Sequence, residues 1–547
     1  MISTDTDGDV MGAGRGIAAH SATDTGSPAA AESDDAFMHR PGAARAACRA
    51  GGHSAPGSGG DGAPGNSSGG QTHDSSDGQP GNSAGHGQPG GDAGEPLTES
   101  AAEAQAHGIC FKTGPPGQVG VELEWLVCDG RDPALPVDQR RVTAALSPLA
   151  ASPGLPGRGR LTTEPGGQVE ISSAPAAGLG HCVSVTGLDL AALRQAVQQA
   201  GLCLTGHGLD PFRPPRRVLE LPRYAAMETF FDRAGPWGRL MMCSTASVQV
   251  CLDAGDEGPG WAGFRWRWQL LHAIGPILVA AFANSPLHRG RPTGWKSSRQ
   301  AIWARLDPTR TQAPAHAEPA PGQQPARAWP PAADPRSAWV DYALAAQVMC
   351  VPRSDATDWS APAGLTFRDW LRGAGDRPPT SADLSYHLST LFPPVRPRGH
   401  LELRSIDAQP GDGWIVPLAV TTVLLDDPVA AQQAMTASER VWFGARAGRT
   451  AAGARGWQRG SPWWRAARHG PADPGLAVAS RRCFEAAEAA LARAGAPAPV
   501  RQAVAAFAGS YVDRGRCPAD DQLDAARAAG GNGPLAGPSA PYREEWQ

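Results

Sequence analysis

The sequence lacks the features that identify several common functional classes. The chain has 547 residues and a formal net charge of −4, so it has no excess of basic residues with which to bind nucleic acid or an anionic membrane. It has no G-x-x-x-x-G-K-[ST] segment and no G-x-G-x-x-G segment after a predicted strand, which excludes P-loop and Rossmann nucleotide sites. Its 10 cysteines lie singly and form no C-x-x-C pair, so no zinc or dithiol motif is indicated.

The sequence also has little that would direct it to a membrane or out of the cell. The longest apolar run, residues 273–283, falls well short of the ~20 residues that span a bilayer. Asp5, Asp7 and Asp9 stand where a signal peptide carries basic residues. Several cysteines lie in apolar, strand-like segments, which is typical of a reducing compartment. We therefore expect a cytoplasmic protein that binds neither nucleic acid nor a membrane, and no feature indicates its oligomeric state.

Aromatic residues are almost absent from residues 1–105, where Phe37 stands alone although the chain has 17 Trp. A segment so rich in Gly, Ser, Asp and Pro cannot bury enough apolar surface to offset the entropy of ordering it. We predict a disordered arm over 1–105 and a catalytic domain over 106–520. A Pro/Ala-rich loop at 311–335 is expected inside the domain, and a loose tail over 521–547.

The rest of the chain alternates between two kinds of hydrophobic pattern. Period-two segments predict strands at 119–127, 168–172, 246–252 and 400–405. Helical periodicity predicts helices at 188–200, 261–282, 414–425, 430–444 and 478–493, the second of which carries a Gly275-Pro276 pair able to break it. Regular βαβ spacing is absent. We predict an α+β fold with a mostly antiparallel sheet and a helical C-terminal part.

The strongest signal for a site is the position of acidic residues on these strands. Each predicted strand has one apolar face and one face of acids, amides or guanidinium groups: Glu122 with Glu124, Gln168 with Glu170, Gln249, and Glu402 with Arg404. Like charges at cross-strand distance repel, so such a cluster persists where cations neutralise it. Carboxylate oxygens suit Mg²⁺ or Mn²⁺. Magnesium held in this way usually also binds phosphate, which points to ATP.

A sheet face that merely meets water gives the same alternation. For one Glu-x-Glu strand, solvation is the more common explanation. Four such strands, with almost no Lys or Thr on their polar faces, favour a binding site.

Loops supply further candidates. Glu164 precedes a Gly-Gly turn that could place it near Glu170. His207 lies between two glycines and suits a ligand site, although a hydrogen-bonded turn histidine is the more common case. Lys296 could meet a phosphate and Arg299 could bind a substrate carboxylate in a bidentate manner, although isolated cations are more often surface charges.

These motifs, in this order, resemble the glutamate–cysteine ligase family, whose fold is related to that of glutamine synthetase. The resemblance rests on GVELEWLV at 120–127, TTEPGGQVEIS at 162–172, GHGLDPF at 206–212, MMCSTASVQVCLD at 241–253, ANSPLHRGRPTGWKSSRQAIWARLDPTR at 283–310 and HLELRSIDAQP at 400–410. It spans about residues 107–515. MMCSTASVQV and EPGGQVE are similar to the actinobacterial branch, which supplies γ-glutamylcysteine for ergothioneine synthesis.

The resemblance implies a curved, mostly antiparallel sheet that forms a catalytic funnel with helices behind it. It implies an acid–amino-acid ligase that uses ATP and Mg²⁺ to join the γ-carboxylate of L-glutamate to the amine of L-cysteine through γ-glutamyl phosphate. The expected metal ligands are Glu122, Glu124, Glu164, Glu170 and Glu402. The expected ATP-binding residues are Lys296, Gln249 and Arg404, and the expected catalytic residues are Arg404, Arg299 and His207.

Two alternatives stay open. One is another carboxylate–amine ligase of the same fold, because the sequence does not place the loops that form a substrate pocket. The other is a non-catalytic binding protein that retains the fold and uses the N-terminal arm for interactions. The second alternative is disfavoured by the joint presence of Glu122, Glu124, Glu170, Glu402 and Arg404. A site that has lost its catalytic function need not keep like charges that repel one another.

Overall fold

The computed structural model describes residues 94–151, 154–314, 334–354, 358–443, 459–529 and 546. Residues 1–93 of the predicted arm, most of the predicted 311–335 loop and residues 530–545 of the predicted tail lie outside the described residues.

One antiparallel sheet organises the described part of the chain. The strands are, in chain order, β1 Gln118–Asp129, β2 Arg160–Thr163, β3 Val169–Ser172, β4 Ala176–Ala177, β5 Leu202–Thr205, β6 Ser247–Asp253, β7 Leu287–His288, β8 Arg291–Pro292, β9 Val395–Pro397 and β10 His400–Asp407. In the main sheet β2, β3, β1, β6, β10 and β9 lie side by side, with β4 and β5 also paired to β1. β7 and β8 form a separate hairpin. All of these pairings are antiparallel, and the four strands predicted from the sequence are confirmed as β1, β3, β6 and β10.

Helices make up most of the remaining described structure. They are, in chain order, α1 Glu99–Cys110, α2 Gln139–Ala150, α3 Leu179–Gln199, α4 Pro222–Asp232, α5 Trp237–Ser244, α6 Phe264–Phe282, α7 Ser298–Trp303, α8 Pro308–Thr311, α9 Pro335–Ala345, α10 Phe367–Asp369, α11 Ser381–Ser389, α12 Ile415–Asp426, α13 Pro428–Phe443, α14 Pro462–His469, α15 Pro474–Arg493, α16 Ala498–Phe507 and α17 Pro518–Ala529. Shorter helical turns follow at Trp370–Ala374, Gly470–Ala472 and Ala508–Val512. The predicted α+β class and the helical C-terminal part are confirmed.

The helices cover one face of the sheet. α3 packs on β1, α6 on β10 and α12 on β6, and α12, α13, α15 and α16 pack on one another. The strand residues that face these helices, such as Val121, Leu123, Val250 and Leu403, are buried in the same apolar core. Because side chains alternate along a strand, the opposite face of β1, β3, β6 and β10 is left to the polar residues.

No single helix among the described residues is long and apolar enough to cross a bilayer. Ile415–Asp426 and Pro428–Trp442 pass that test together, by length and composition only, and are bent by 102° relative to each other.

The predicted boundaries of the folded part need two corrections. α1 begins at Glu99, inside the segment assigned to the arm, and its Ala102 and Ala106 are fully buried. Thr98 caps this helix by accepting a hydrogen bond from the Ala101 amide, a start signal that the composition of the arm obscured. At the other end, α17 extends to Ala529 through the start of the predicted loose tail, and Trp546 is buried.

The Gly275-Pro276 pair does not break α6, which runs through both residues. Gly275 is required here by packing. A Cβ at this position would lie 2.3 Å from the ring of Trp463, well inside van der Waals contact. The missing side chain therefore lets α14, which carries Trp463, lie directly on α6.

We expect Gly275→Ala and Gly187→Ala to change stability in opposite directions. Gly187 lies in α3 with open space around its Cα, so alanine should add about 1 kcal/mol of helix propensity. At Gly275 the clash with Trp463 should outweigh that gain and lower the free energy of unfolding by roughly 1–3 kcal/mol. Denaturant titration of the two variants measures both changes, and a stabilised Gly275→Ala would contradict the packing described here.

Candidate active site

The sheet register brings the acidic residues of β1 and β3 together. Glu124 lies directly opposite Glu170 on β3, and Glu122 lies opposite Gln249 on β6. Directly opposite residues of an antiparallel pair project to the same face at short distance. The predicted polar face of Glu122, Glu124, Glu170 and Gln249 is therefore present, on the side of the sheet away from α3, α6 and α12.

Glu164 joins this face through the turn between β2 and β3. The Gly167 amide donates to the Glu164 carbonyl at 2.8 Å, and the Glu164 amide donates to the Gln168 carbonyl at 2.8 Å. Gly167 has a φ of 88°, in the left-handed region that favours glycine. Gly166 lies so close to Cys243 that a Cβ would be 2.2 Å from the Cys243 carbonyl oxygen. The glycines therefore make the tight turn that the sequence predicts.

These four carboxyl groups disfavour one another's ionisation. Burial, followed by the charges of Glu402 and Glu170, raises the pKa of Glu122 to about 8. Burial, followed by Glu170 and Glu124, raises the pKa of Glu164 to about 8. The pKa values of Glu124 and Glu170 are also raised, first by burial. All four side chains keep partial solvent exposure although protein surrounds them, as expected for groups that line a cleft.

The surroundings of Glu402 differ from those expected of a metal ligand. Arg396 of β9 donates to both of its carboxylate oxygens, from Nε at 3.0 Å and from Nη2 at 2.8 Å, and Arg404 also donates to it. Burial by itself raises the pKa of Glu402, but the two guanidinium groups hold that pKa well below its ordinary value. Glu402 is therefore neutralised by arginine, and the structure does not support its predicted place among the metal ligands.

Gln249 and Arg404 connect the two halves of the polar face. The Gln249 side-chain amide donates to Glu124 at 2.9 Å, and its oxygen accepts from Arg404. The Nε atom of Arg404 is buried and has no hydrogen-bond partner among the described residues. Arg404 thus lies beside the carboxyl groups with a donor still available for an anion.

Arg299, in the first turn of α7, is positioned by contacts with Arg404 and Asp407. Its Nη2 donates to the Arg404 carbonyl at 2.8 Å, and its Nη1 lies 3.9 Å from Asp407. Asp407 in turn accepts from the hydroxyls of Ser285 at 2.7 Å and Ser297 at 2.9 Å. The Nε and Nη1 atoms of Arg299 are buried without a hydrogen-bond partner in the described part of the chain. Nε therefore has a hydrogen available for a ligand carboxylate, and Nη1 has one beside Asp407.

His207 lies in a loop that two glycines hold against the end of β10. A Cβ on Gly206 would be 2.1 Å from the Gln409 carbonyl oxygen, and one on Gly208 would be 2.6 Å from the Asp407 side chain. Burial lowers the pKa of His207, so the ring is neutral near pH 7, and its Nδ1 has no described hydrogen-bond partner. A ligand role for His207 stays a prediction.

Lys296, predicted to bind a phosphate, is engaged elsewhere. Its ammonium group forms an ion pair with Asp520 in the first turn of α17. The sequence could not show this partner, because α17 lies more than two hundred residues away along the chain. No described contact places Lys296 in the carboxyl cluster.

Arg223 is a candidate that the sequence reasoning missed. It stands in the first turn of α4, over the rings of Tyr224 and Tyr386 at 5.7 and 5.6 Å, and its charge acts on Glu164. Its Nε is buried without a hydrogen-bond partner among the residues described. No pattern in the sequence distinguishes this arginine from the neighbouring surface arginines, since only the fold brings α4 beside Glu164.

The donor set fits a hard divalent cation. Glu122, Glu124, Glu164 and Glu170 offer carboxylate oxygens, which suit Mg²⁺, and their raised pKa values indicate that a cation would be favourable among them. Among the described residues, no group of three or more His, Cys, Asp or Glu side chains is placed so that it could hold a metal ion as it stands. The chemistry of these residues suits cations at the carboxyl groups and anions at Arg223, Arg299 and Arg404.

Crowded carboxyl groups on a sheet face, with unpaired guanidinium donors beside them, suit a cation together with phosphate- or carboxylate-bearing ligands. Comparison with known proteins identifies the family. A model of glutamate-cysteine ligase family 2 (GCS2) matches residues 118–540. The chain belongs to this family.

Individual glutamate–cysteine ligases are similar to this chain. Glutamate–cysteine ligase EgtA of Mycobacterium tuberculosis is 40% identical over 442 residues, which cover 79% of this chain and 92% of the relative. EgtA of Mycolicibacterium smegmatis is 40% identical over 441 residues, covering 79% and 93%. The chloroplastic glutamate–cysteine ligase of Nicotiana tabacum is 32% identical over 262 residues, or 46% of each chain.

A crystal structure of glutamate–cysteine ligase (gshA) from Francisella tularensis in complex with AMP aligns with a TM-score of 0.43 and 11% identity. The alignment covers 80% of this chain and 88% of that chain. A likeness at this level carries no argument about function.

We expect Glu402→Gln and Glu122→Gln to change stability in opposite directions when a chelator is present. Removing the Glu402 charge leaves Arg396 buried and unpaired, and should lower the free energy of unfolding by about 3 kcal/mol. Glu122→Gln removes a carboxyl group whose ionisation is disfavoured in the folded chain, and should be neutral or stabilising. Thermal melting of both variants measures the difference, and equal losses would mean that Glu122 is also held by ion pairing.

The Glu122 effect should depend on pH. The pKa of this group is about 8 in the folded chain, above its value of ~4.3 in an unfolded one, so ionisation costs folding free energy as the pH rises between the two. Glu122→Gln lacks that cost. Its stability relative to the parent chain should therefore rise with pH up to about 8 and then level.

Proposed function

We propose that the chain is an ATP-dependent glutamate–cysteine ligase that forms γ-glutamylcysteine. The observation that carries the proposal is the meeting of two opposite environments at one sheet face. Four carboxyl groups there have raised pKa values, and three arginines beside them, on β10, α4 and α7, have unpaired Nε donors. ATP brings phosphates and a cation, and both amino acids bring carboxylates. Family membership and the EgtA relatives support the same activity.

The chemistry requires activation of a carboxylate. The γ-carboxylate of glutamate attacks the γ-phosphorus of ATP, the bond to the bridging oxygen of ADP breaks, and γ-glutamyl phosphate forms. The neutral amine of cysteine then attacks the acyl carbon, the carbon–oxygen bond to phosphate breaks, and the amine proton passes to solvent. Neither step needs a protein nucleophile, so the work of the protein is positioning and electrostatic stabilisation.

The residues divide this work by charge. Glu122, Glu124, Glu164 and Glu170 would hold Mg²⁺, which supplies charge neutralisation for the phosphates when bound. Arg404 would donate to the transferring phosphoryl group, because its Nε is free and Gln249 fixes its position. Arg299, whose charge acts on Glu124, and Arg223, whose charge acts on Glu164, would each bind a substrate carboxylate.

The setting proposed for this reaction is the cytoplasm. No disulfide links the nine described cysteines, which agrees with a reducing compartment. The product would enter ergothioneine synthesis, as the resemblance to the actinobacterial branch implies.

Release of ADP tests the activity. The full chain, ATP and Mg²⁺ should release ADP steadily when glutamate and cysteine are both present, and turnover should fall strongly when either is omitted. Replacing cysteine by other amines, and glutamate by other acids, distinguishes a ligase of different specificity. No ADP release with any acid and amine would favour the non-catalytic alternative.

We expect Arg299→Lys to weaken the binding of one amino acid while leaving ATP unaffected. Lysine keeps the charge but loses the planar pair of donors, and the cost should be on the order of 2 kcal/mol. It should appear as a raised KM for glutamate or for cysteine. Arg291→Lys is a matched control, because Arg291 is exposed on β8 in the same segment of the chain. Unchanged KM values for both amino acids would exclude the role of Arg299.

A further inference from the structure

The segment that carries Arg299, residues 283–305, is held by the C-terminal part of the chain on one flank. The Ala519 amide donates to the Ala283 carbonyl at 2.9 Å. The side chain of Gln522 donates to both oxygens of Asn284, at 2.9 and 2.6 Å. With the Lys296–Asp520 ion pair, α17 thus fixes the beginning of this segment.

Trp546 holds the other flank. It lies beyond the residues matched by the family model and is 1% exposed. Its ring packs edge-to-face against Trp237 with centroids 5.2 Å apart and against His288 at 5.5 Å. Its carbonyl oxygen accepts from Trp295 Nε1 at 2.8 Å and from Arg305 Nη2 at 2.7 Å.

These two donors lie on either side of α7. Trp295 precedes the helix, Arg305 follows it, and the first turn carries Arg299. The Arg305 guanidinium also stacks on the Trp237 and Trp295 rings, at 4.7 and 5.5 Å, so the Trp546 pocket is one packed unit. Trp546 therefore joins both ends of the helix that presents the guanidinium donors of Arg299.

We propose that Trp546 is a positioning residue, which fixes α7 and thereby holds Arg299 where it binds a substrate carboxylate. This inference rests on the proposed ligase function for its kinetic consequence. Its structural half, that Trp546 immobilises residues 285–305, stands without it. Bidentate binding of a carboxylate depends strongly on the positions of the donors. A more mobile α7 should therefore weaken the binding of one amino-acid substrate and not that of the other.

The test compares Trp546→Ala and Trp546→Phe with the parent chain. In Trp546→Ala, hydrogen exchange over residues 285–305 should increase. KM should rise roughly tenfold for the amino acid that Arg299→Lys affects, with KM for ATP unchanged. Trp546→Phe keeps an aromatic ring and should show a smaller change. Arg527→Ala is the control, because Arg527 is exposed on α17 and pairs with Asp524.

Indole supplies a rescue that a general loss of stability would not show. Trp546→Ala leaves an aromatic-lined pocket beside Trp237 and His288, whose rings contact the Trp546 ring, and such a cavity binds a ligand of the missing shape. Added indole should restore slow exchange over 285–305 and lower the raised KM towards that of the parent chain. It should have no effect on the parent chain or on Arg527→Ala.

Unchanged exchange over 285–305 in Trp546→Ala would overturn the inference. So would equal rises in KM for ATP and both amino acids that indole does not reverse. If Trp546→Ala fails to fold, Trp546→Phe decides: faster exchange over 285–305 supports the inference, and exchange like that of the parent chain overturns it. If the parent chain ligates no substrates, the proposed function is overturned. Hydrogen exchange over residues 285–305 would still show whether Trp546 immobilises that segment.

Discussion

The crowding of like charges on one sheet face is the constraint on which the rest of the site depends. Burial raises the pKa values of Glu122, Glu124, Glu164 and Glu170, and the charges of neighbouring carboxylates raise them further. A protein that keeps such a cluster sacrifices stability unless a cation enters it. On the neighbouring strands β9 and β10 no added cation is needed, because Arg396 and Arg404 neutralise Glu402 directly. Gln249 bridges the two regions, because it donates to Glu124 and accepts from Arg404.

The scaffold places these charges by means of rigid elements and close approaches. Helices α3, α6 and α12 cover the apolar face of the sheet, so the strands cannot slip by one residue without burying the acids and exposing the core. Glycines then bring two loops onto the site. Gly166 lets the Glu164 turn lie against Cys243, and Gly206 and Gly208 let the His207 loop lie against β10. Substituting these glycines would move site residues without touching a ligand.

The sequence predicted the parts of the site that follow from local periodicity. Alternation assigned the acids of β1 and β3 to one face, and the structure agrees because the side-chain period of a strand is fixed. It could not predict partners set by tertiary contacts. β9 was not predicted, so Arg396 was not recognised as the partner of Glu402. Asp520 as the partner of Lys296, and Arg223 beside Glu164, depend on helices brought in from elsewhere in the chain. The composition of residues 1–105 likewise favoured a prediction of disorder, which missed the helix N-cap at Thr98.

Manganese binding tests the central claim most directly, because Mn²⁺ has a paramagnetic signal and prefers the same oxygen ligands as Mg²⁺. Electron paramagnetic resonance would follow the titration of Mn²⁺ into the full chain in the presence of ADP. The comparison is with Glu170→Gln, and with Glu228→Gln as a control in which a carboxylate paired to Arg217 is changed. The account predicts tight binding to the parent chain and the control, and strongly weakened binding to Glu170→Gln. Equal binding by all three would contradict a cation site at the carboxyl cluster.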